Sequence, residues 1–329
     1  MTVQRTGASA VALGGGHGLH ASLTALRHVA DELTAVVTVA DDGGSSGRLR
    51  RELQVLPPGD LRMALSALCG DDDWGQTWMR VLQHRFSGDG ELHGHALGNL
   101  LIVGLWDLLG DAVAGLDMVG RLLEARGRVL PMSTVPIDIT AQVEAPDGPQ
   151  TAHGQVEVAT AQGRITSVAL TPSDPPACPE ALGAVKDADW VVLGPGSWYT
   201  SVIPHLLLPE LRRAIVDRGD RLVLVLNLVA QAGETGGFSP ADHLAALREV
   251  APELRAHTVL ADTSAVLTAR ADLEDAVEAL GARLVVADVA SHPGSSAHDP
   301  VRLAEALRVV LAGEDGAGGD RVGESVPPR

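Results

Sequence analysis

Six short apolar runs, at residues 10–13, 34–39, 190–193, 222–227, 257–260 and 283–288, are bounded by Gly, Asp and Pro. Most lead into segments where Leu, Ala and Val recur at helical spacing. The runs are too continuous to face water at every second residue, so each is expected to have helices on both sides. Strands joined through helices run parallel. The pattern specifies an α/β fold, a Rossmann-like, doubly wound and mostly parallel sheet. With 329 residues, 45% of them hydrophobic, the chain can bury the core that such a sheet needs.

Two stretches break the alternation. Between 60 and 125, "DLRMALSAL", "TWMRVLQHRF", "HALGNLLIVGLWDLL" and "LDMVGRLLEA" keep a helical period and predict a helical block packed on one end of the sheet. From 136 to 170, "DITAQVEA", "TAHGQVEVA" and "RITSVALT" alternate apolar with polar residues and predict a small antiparallel β insertion. Residues 1–312 read as one α/β domain carrying both, and 313–329, rich in Gly, Pro and charge, as a disordered tail.

The net charge of −17 argues against bulk binding of nucleic acid, which needs clustered Lys and Arg. Cys69 and Cys178 are far apart and outside any CxxC spacing, and read as reduced thiols. The opening "MTVQRTGASA" is short and polar, and glycines interrupt the apolar run after it. Neither a signal peptide nor a membrane span is expected, and the cytoplasm is the expected compartment.

Ligands of open parallel sheets bind beyond the carboxyl ends of the strands, and the unusual residues gather there. After the first run, Gly15, Gly16, His17 and Gly18 bring bare N–H groups to a helix start, which suits a diphosphate. Leu19 breaks the GxGxxG fingerprint and the loop has no Walker lysine; the alternative is close packing of helix on strand. After the second run, Asp41 and Asp42 can accept ribose hydroxyls or hold Mg2+. Gly43, Gly44, Ser45, Ser46 and Arg48 follow as phosphate donors, with Arg50 and Arg51 adding charge. A capped surface turn would account for one or two of these residues.

"PPGDLRMAL" sets Asp60 at a helix start and Arg62 in its first turn, where the helix dipole disfavours a cation unless it faces a ligand or an acid. "HGHALGNLL" puts His95 and Asn99 four apart on a helix face; His93 and His95 lack a third ligand, so no metal is read there. In the second half Gly194, Pro195, Gly196 and Ser197 form another glycine turn, with Thr200 and Ser201 at the following helix start. Asn227 ends a strand, and Gln231, Glu234 and Thr235 after it either read a base or sugar or decorate a surface loop. Neither a Ser-His-Asp order nor a GxSxG elbow is present, so catalytic residues stay unassigned.

In their order, "GGGHGL", "TVADDGGSSGRLR", "PPGDLR", "HALGNLL", "LGPGSWYTSVIPHLL", "AGET" and "DHLAAL" resemble the YvcK family of bacterial gluconeogenesis factors, distant relatives of CofD, the 2-phospho-L-lactate transferase. The likeness spans roughly residues 10 to 310. It implies a cytoplasmic protein that binds a nucleotide diphosphate, in particular a UDP-sugar such as UDP-N-acetylglucosamine, with little or no turnover. It also implies a role in cell shape and peptidoglycan precursor supply, with cell-wall synthesis proteins as partners. A homodimer is the ordinary expectation for such a fold. Two readings stand beside this one: a Mg2+-dependent CofD-like transferase with the metal on Asp41 or Asp42, and a nicotinamide dinucleotide binder. His17 and His20 stand where many relatives have Thr and Ser, Ala232 replaces a usual Pro, and Ala297 precedes His298 where relatives often place Arg.

Overall fold

The computed structural model describes residues 5–231 and 233–313, so the expectations for Ala232 and for the tail from 314 on lie outside the described residues. Ten strands follow in chain order: β1 (Ser9–Gly14), β2 (Glu32–Val37), β3 (Arg128–Pro131), β4 (Asp138–Ala145), β5 (Gly148–His153), β6 (Arg164–Thr171), β7 (Trp190–Leu193), β8 (Leu222–Val225), β9 (Thr258–Asp262) and β10 (Arg283–Ala287). Seven of them form one sheet in the order β10, β9, β8, β7, β1, β2, β3. Every pairing in it is parallel. Consecutive residues are buried in β7, β8 and β9, so helices cover both faces there, as continuous Val and Leu runs require.

All six expected runs form strands, with three differences. The ladder stops at Val37 in β2 and at Val225 in β8, which leaves Thr38 and Asn227 in the loops above the sheet. β10 is only half-buried, because an edge strand has one neighbour and its Val286 is left exposed. β3 is a seventh strand that the runs did not show; four residues wedged between helical block and insertion give no period to read.

Helix α1 (Gly16–Leu26) joins β1 to β2 and α2 (Gly44–Leu53) follows β2; the expected helical block then forms α3 (Gly59–Ala67), α4 (Asp73–Gln83), α5 (Leu97–Leu109) and α6 (Ala112–Leu123) before the chain reaches β3. α3 packs on α1, β2 and β3, and α6 covers β3, so the block closes that end of the sheet as expected. The insertion is a three-stranded antiparallel sheet in the order β5, β4, β6. Its middle segment corrects the reading of "TAHGQVEVA" as one strand: β5 ends at His153, and α7 (Gly154–Ala159) is helical. Gly154 has φ +84, and the Val156 N–H donates to Asp42 Oδ1 at 3.0 Å, so a tertiary cap overrides the local alternation. The remaining helices are α8 (Pro179–Asp187), α9 (Pro204–Leu207), α10 (Pro209–Val216), α11 (Pro240–Val250), α12 (Val266–Glu278) and α13 (Pro300–Leu311). Among the described residues no helix is long and apolar enough to cross a membrane.

Candidate functional site

From β1 the chain winds outward to β2 and β3, then returns to lay β7 on the other side of β1. Loops above β1 and β7 therefore diverge, and a crevice opens between them at the switch point. A cavity of about 800 Å³ lies there. Gly15–Gly18 leads into α1 on one side, and Pro195–Ser201 rises from β7 on the other. The two loops touch backbone to backbone: a methyl on Gly18 would strike the Pro195 carbonyl and the Gly196 Cα. A methyl on Gly15 would press on Thr38, Asp60 and Ser201. Glycine is needed at both positions for close approach.

The β7 loop is held from behind. Asn227, just past β8, accepts from the Gly196 N–H at 2.9 Å and donates to the Gly196 carbonyl at 2.8 Å. Glu234 is buried and accepts from the Ser197 hydroxyl at 3.0 Å, the Tyr199 N–H at 3.0 Å and the Thr200 hydroxyl at 2.6 Å. Its carboxylate satisfies the donors that open a π-helical turn, Trp198–Val202. Thr235 accepts from the Gln231 N–H at 2.9 Å, and Gln231 lines the cavity with its Oε1 unpartnered.

Below the glycine loop lie two acids. Asp41 lines the cavity and accepts from the Gly43 N–H at 2.9 Å; burial, above all, raises its carboxyl above the usual range. Asp60 is buried behind Gly16, whose N–H it accepts, and burial together with the neighbouring Asp41 charge pushes it up to about 7. Asp60 Oδ2 and the nearby Thr38 Oγ1 are both buried without a partner.

Several residues singled out in the sequence are structural neighbours of this cleft. Asp42 caps α7. Gly43 caps α2, and Gly44 takes φ +46 to begin it. Ser46 accepts from the Gly59 N–H at 2.9 Å. Ser45 is the centre of a buried network, accepting from Asn99 Nδ2 at 3.0 Å and meeting His95 Nδ1 at 3.0 Å. Arg62 donates to Asn99 Oδ1 at 2.9 Å and to Gln83, so its odd place at a helix start is explained by amide partners and the acids beside it. His95 and Asn99 do not share a helix face: α5 begins at Leu97, and His95 lies in the loop before it. Arg48 turns to the His93 carbonyl at 2.7 Å, Arg50 pairs with Asp138 at 2.9 Å and Arg51 reaches the Asp42 carbonyl; none of the three lines the cavity. Gly194 ends β7 below it, where φ +81 turns the chain.

The cavity also takes residues outside the ligand set expected from the sequence. Gln155, Val156 and Ala159 of α7 line it, as do Leu228, Val229, Ser296, Ala297, His298 and Pro300. His298 lies in the loop after β10, a strand-end position that the rule for open sheets would flag. Gln155 has no such signal, since only the docking of the insertion brings it there.

Residues 10–293 match the family model described as 2-phospho-L-lactate transferase CofD. A Mycobacterium tuberculosis protein is 50% identical over 313 residues, covering 93% of this chain and 91% of its own. A protein of Listeria innocua named gluconeogenesis factor is 36% identical over 311 residues, covering 92% of this chain and 95% of its own. The Bacillus subtilis protein of the same name is 38% identical over 236 residues, or 72% of this chain and 73% of its own. The crystal structure of a UPF0052 family member from Bacillus halodurans fits with a TM-score of 0.80 at 35% identity, covering 91% of this chain and 99% of that one.

Proposed function

This chain belongs to the CofD family, in its YvcK branch of gluconeogenesis factors, and on that premise we propose that its cleft binds a nucleotide sugar of the UDP-N-acetylglucosamine type. The observation that carries the reading is the meeting of two glycine loops, Gly15–Gly18 and Gly196–Ser201, at the head of a cavity of about 800 Å³. Main-chain N–H groups at the start of α1 face a site with the volume of a small-molecule pocket, which suits a diphosphate with a nucleoside and a sugar on either side.

The role we propose is regulatory. Ser197 and Thr200 donate their hydroxyls to Glu234, whose carboxylate holds the turn together, an arrangement of scaffold and not of nucleophile and base. Relatives bear the name gluconeogenesis factor, which supports a place in carbon metabolism; within it we propose a protein that senses sugar nucleotides in the cytoplasm and adjusts the supply of peptidoglycan precursors, and with it cell shape. A homodimer and contacts with cell-wall synthesis proteins belong to the same proposal.

A second reading, Mg2+-dependent transfer of the CofD kind, draws on one observation: the orphaned Asp60 Oδ2 beside Asp41. Two carboxylates there fit a divalent cation, which would neutralise a diphosphate. Asp41 and Asp60 would hold it, whereas Asp42 is committed to α7.

Calorimetry and thermal shift against UDP-N-acetylglucosamine, UDP-glucose, GDP, NAD and NADP, with and without Mg2+, test the proposal. Selective UDP-sugar binding without product over hours is expected. Preference for GDP with turnover supports the transferase, preference for NAD or NADP the dinucleotide reading, and no UDP-sugar binding sinks the proposal.

A further inference from the structure

Among its described lining residues the cavity has no Lys or Arg. The arginines nearest in sequence are engaged elsewhere: Arg48 by the His93 carbonyl, Arg50 by Asp138, and Arg62 by Asn99 and Gln83. Asp41 lines the cleft and Asp60 lies just beneath it. A diphosphate placed there meets main-chain donors and two acids, and its charge is left to be balanced by something that can become positive.

Histidine is the side chain in the lining that can do so. His17 belongs to the glycine loop, and His20 follows one turn later on α1. His298, from the loop after β10, also lines the cavity; it is 8% exposed and bonds the Leu226 carbonyl, while its Nε2 is buried without a partner. A buried ring nitrogen left unpaired is costly unless a ligand supplies its partner.

We propose that His17, His20 and His298 are the titratable cations of this cleft, taking up protons as an anionic diphosphate ester enters, so that the protein binds such ligands more tightly as the pH falls. The proposal rests on the nucleotide-sugar reading and adds to it how the anion is balanced. Burial, first of all, holds His20 and His298 below the ordinary imidazole value. His17 and Arg27 on the same helix and Arg62 on α3 also oppose charge on His20, whereas Asp262 at the end of β9 favours it on His298. Asp41 faces the same space and is itself raised by burial. Burial thus favours the neutral form of His20 and His298 in the cleft, and an entering anion raises the proton affinity of a ring beside it. Binding then takes up protons, and affinity climbs as the pH drops toward and below the ordinary imidazole value of about 6.5.

UDP-N-acetylglucosamine is the probe, because its diphosphate is a diester whose charge is constant across this range. Its affinity is measured by calorimetry from about pH 5.5 to about pH 8.5 in EDTA, with neutral uridine as control, on the full chain and on the His17→Gln, His20→Gln and His298→Gln variants, singly and combined. The full chain is expected to bind the UDP-sugar about tenfold or more tightly at the acid end, since a one-unit rise in one ring's pKa on binding is worth that factor. Each single variant should lose part of the slope and the triple variant nearly all of it, with uridine binding level throughout. If the triple variant does not fold, as judged by circular dichroism, the single variants decide. Tight binding that is flat with pH, or a slope that survives the substitutions, overturns the histidine proposal alone. No binding of the UDP-sugar at any pH overturns it together with the nucleotide-sugar reading.

Discussion

Asp60 occupies the first turn of α3 with one oxygen on the Gly16 N–H and the other orphaned. Its carboxyl is pushed up to about 7 from 3.8, so between those values the unfolded chain releases a proton that the fold retains. The contribution of Asp60 to stability is therefore fullest below about pH 4 and is lost as the pH rises through 7. Asp60→Asn removes this buried charge while keeping an acceptor for Gly16. It should stabilise the protein by on the order of 2 kcal/mol at pH 8 and by close to nothing at pH 4, read as melting temperatures by calorimetry. An equal shift at both would show that Asp60 does not titrate as its burial implies. At this scale the sequence was informative where chemistry is local: Asp60 at a helix start, Arg62 where a cation is out of place, and glycines where two backbones must touch. It was silent on partners. The link from Arg62 through Asn99 to Ser45 joins three separate segments, and no spacing rule encodes it.

Elements whose apolar pattern extends over several turns or a full strand were legible, and those fixed by their neighbours were not. β1, β7 and β9 announce themselves through unbroken Val, Leu and Ala, whereas β3 is four residues that become a strand because β2 offers its free edge. α7 is the clearest case, since its "QVEVA" alternates like a strand and is made helical by Asp42 from a distant loop. The sequence presents Asp42 as a ligand or metal group and the fold makes it a helix cap, and the two roles predict different results. Asp42→Ala removes a helix cap worth about 1 kcal/mol. Hydrogen exchange in Gly154–Ala159 should quicken, and affinity for UDP-N-acetylglucosamine should fall several-fold because Gln155, Val156 and Ala159 lose their fixed place in the cavity wall. Lost affinity with unchanged exchange in α7 would instead make Asp42 a direct ligand contact.

The molecule as a whole carries 42 acidic against 25 basic side chains, a net charge of −17, around a cleft proposed to take an anion. Long-range and short-range electrostatics then oppose one another. A diffusing UDP-sugar first meets the negative field of the whole protein and only later the N–H groups of the glycine loops and the histidines. Salt acts on the first of these far more than on the second, because the screening length shrinks from about 30 Å at 0.01 M to about 10 Å at 0.1 M, while groups touching the ligand lie well inside either distance. The association rate of a fluorescent UDP-sugar in stopped flow at pH 8 should consequently rise several-fold between those salt concentrations, with the dissociation rate nearly constant, the reverse of an electrostatically steered encounter. Neutral uridine should show neither trend. As the pH is lowered and the histidines gain charge, the salt dependence should flatten, because the cleft then projects a positive field of its own into the negative one. A rate that falls with salt at pH 8 would mean that the mouth of the cleft is already positive with its histidines neutral, and would place the decisive cations outside the lining identified above.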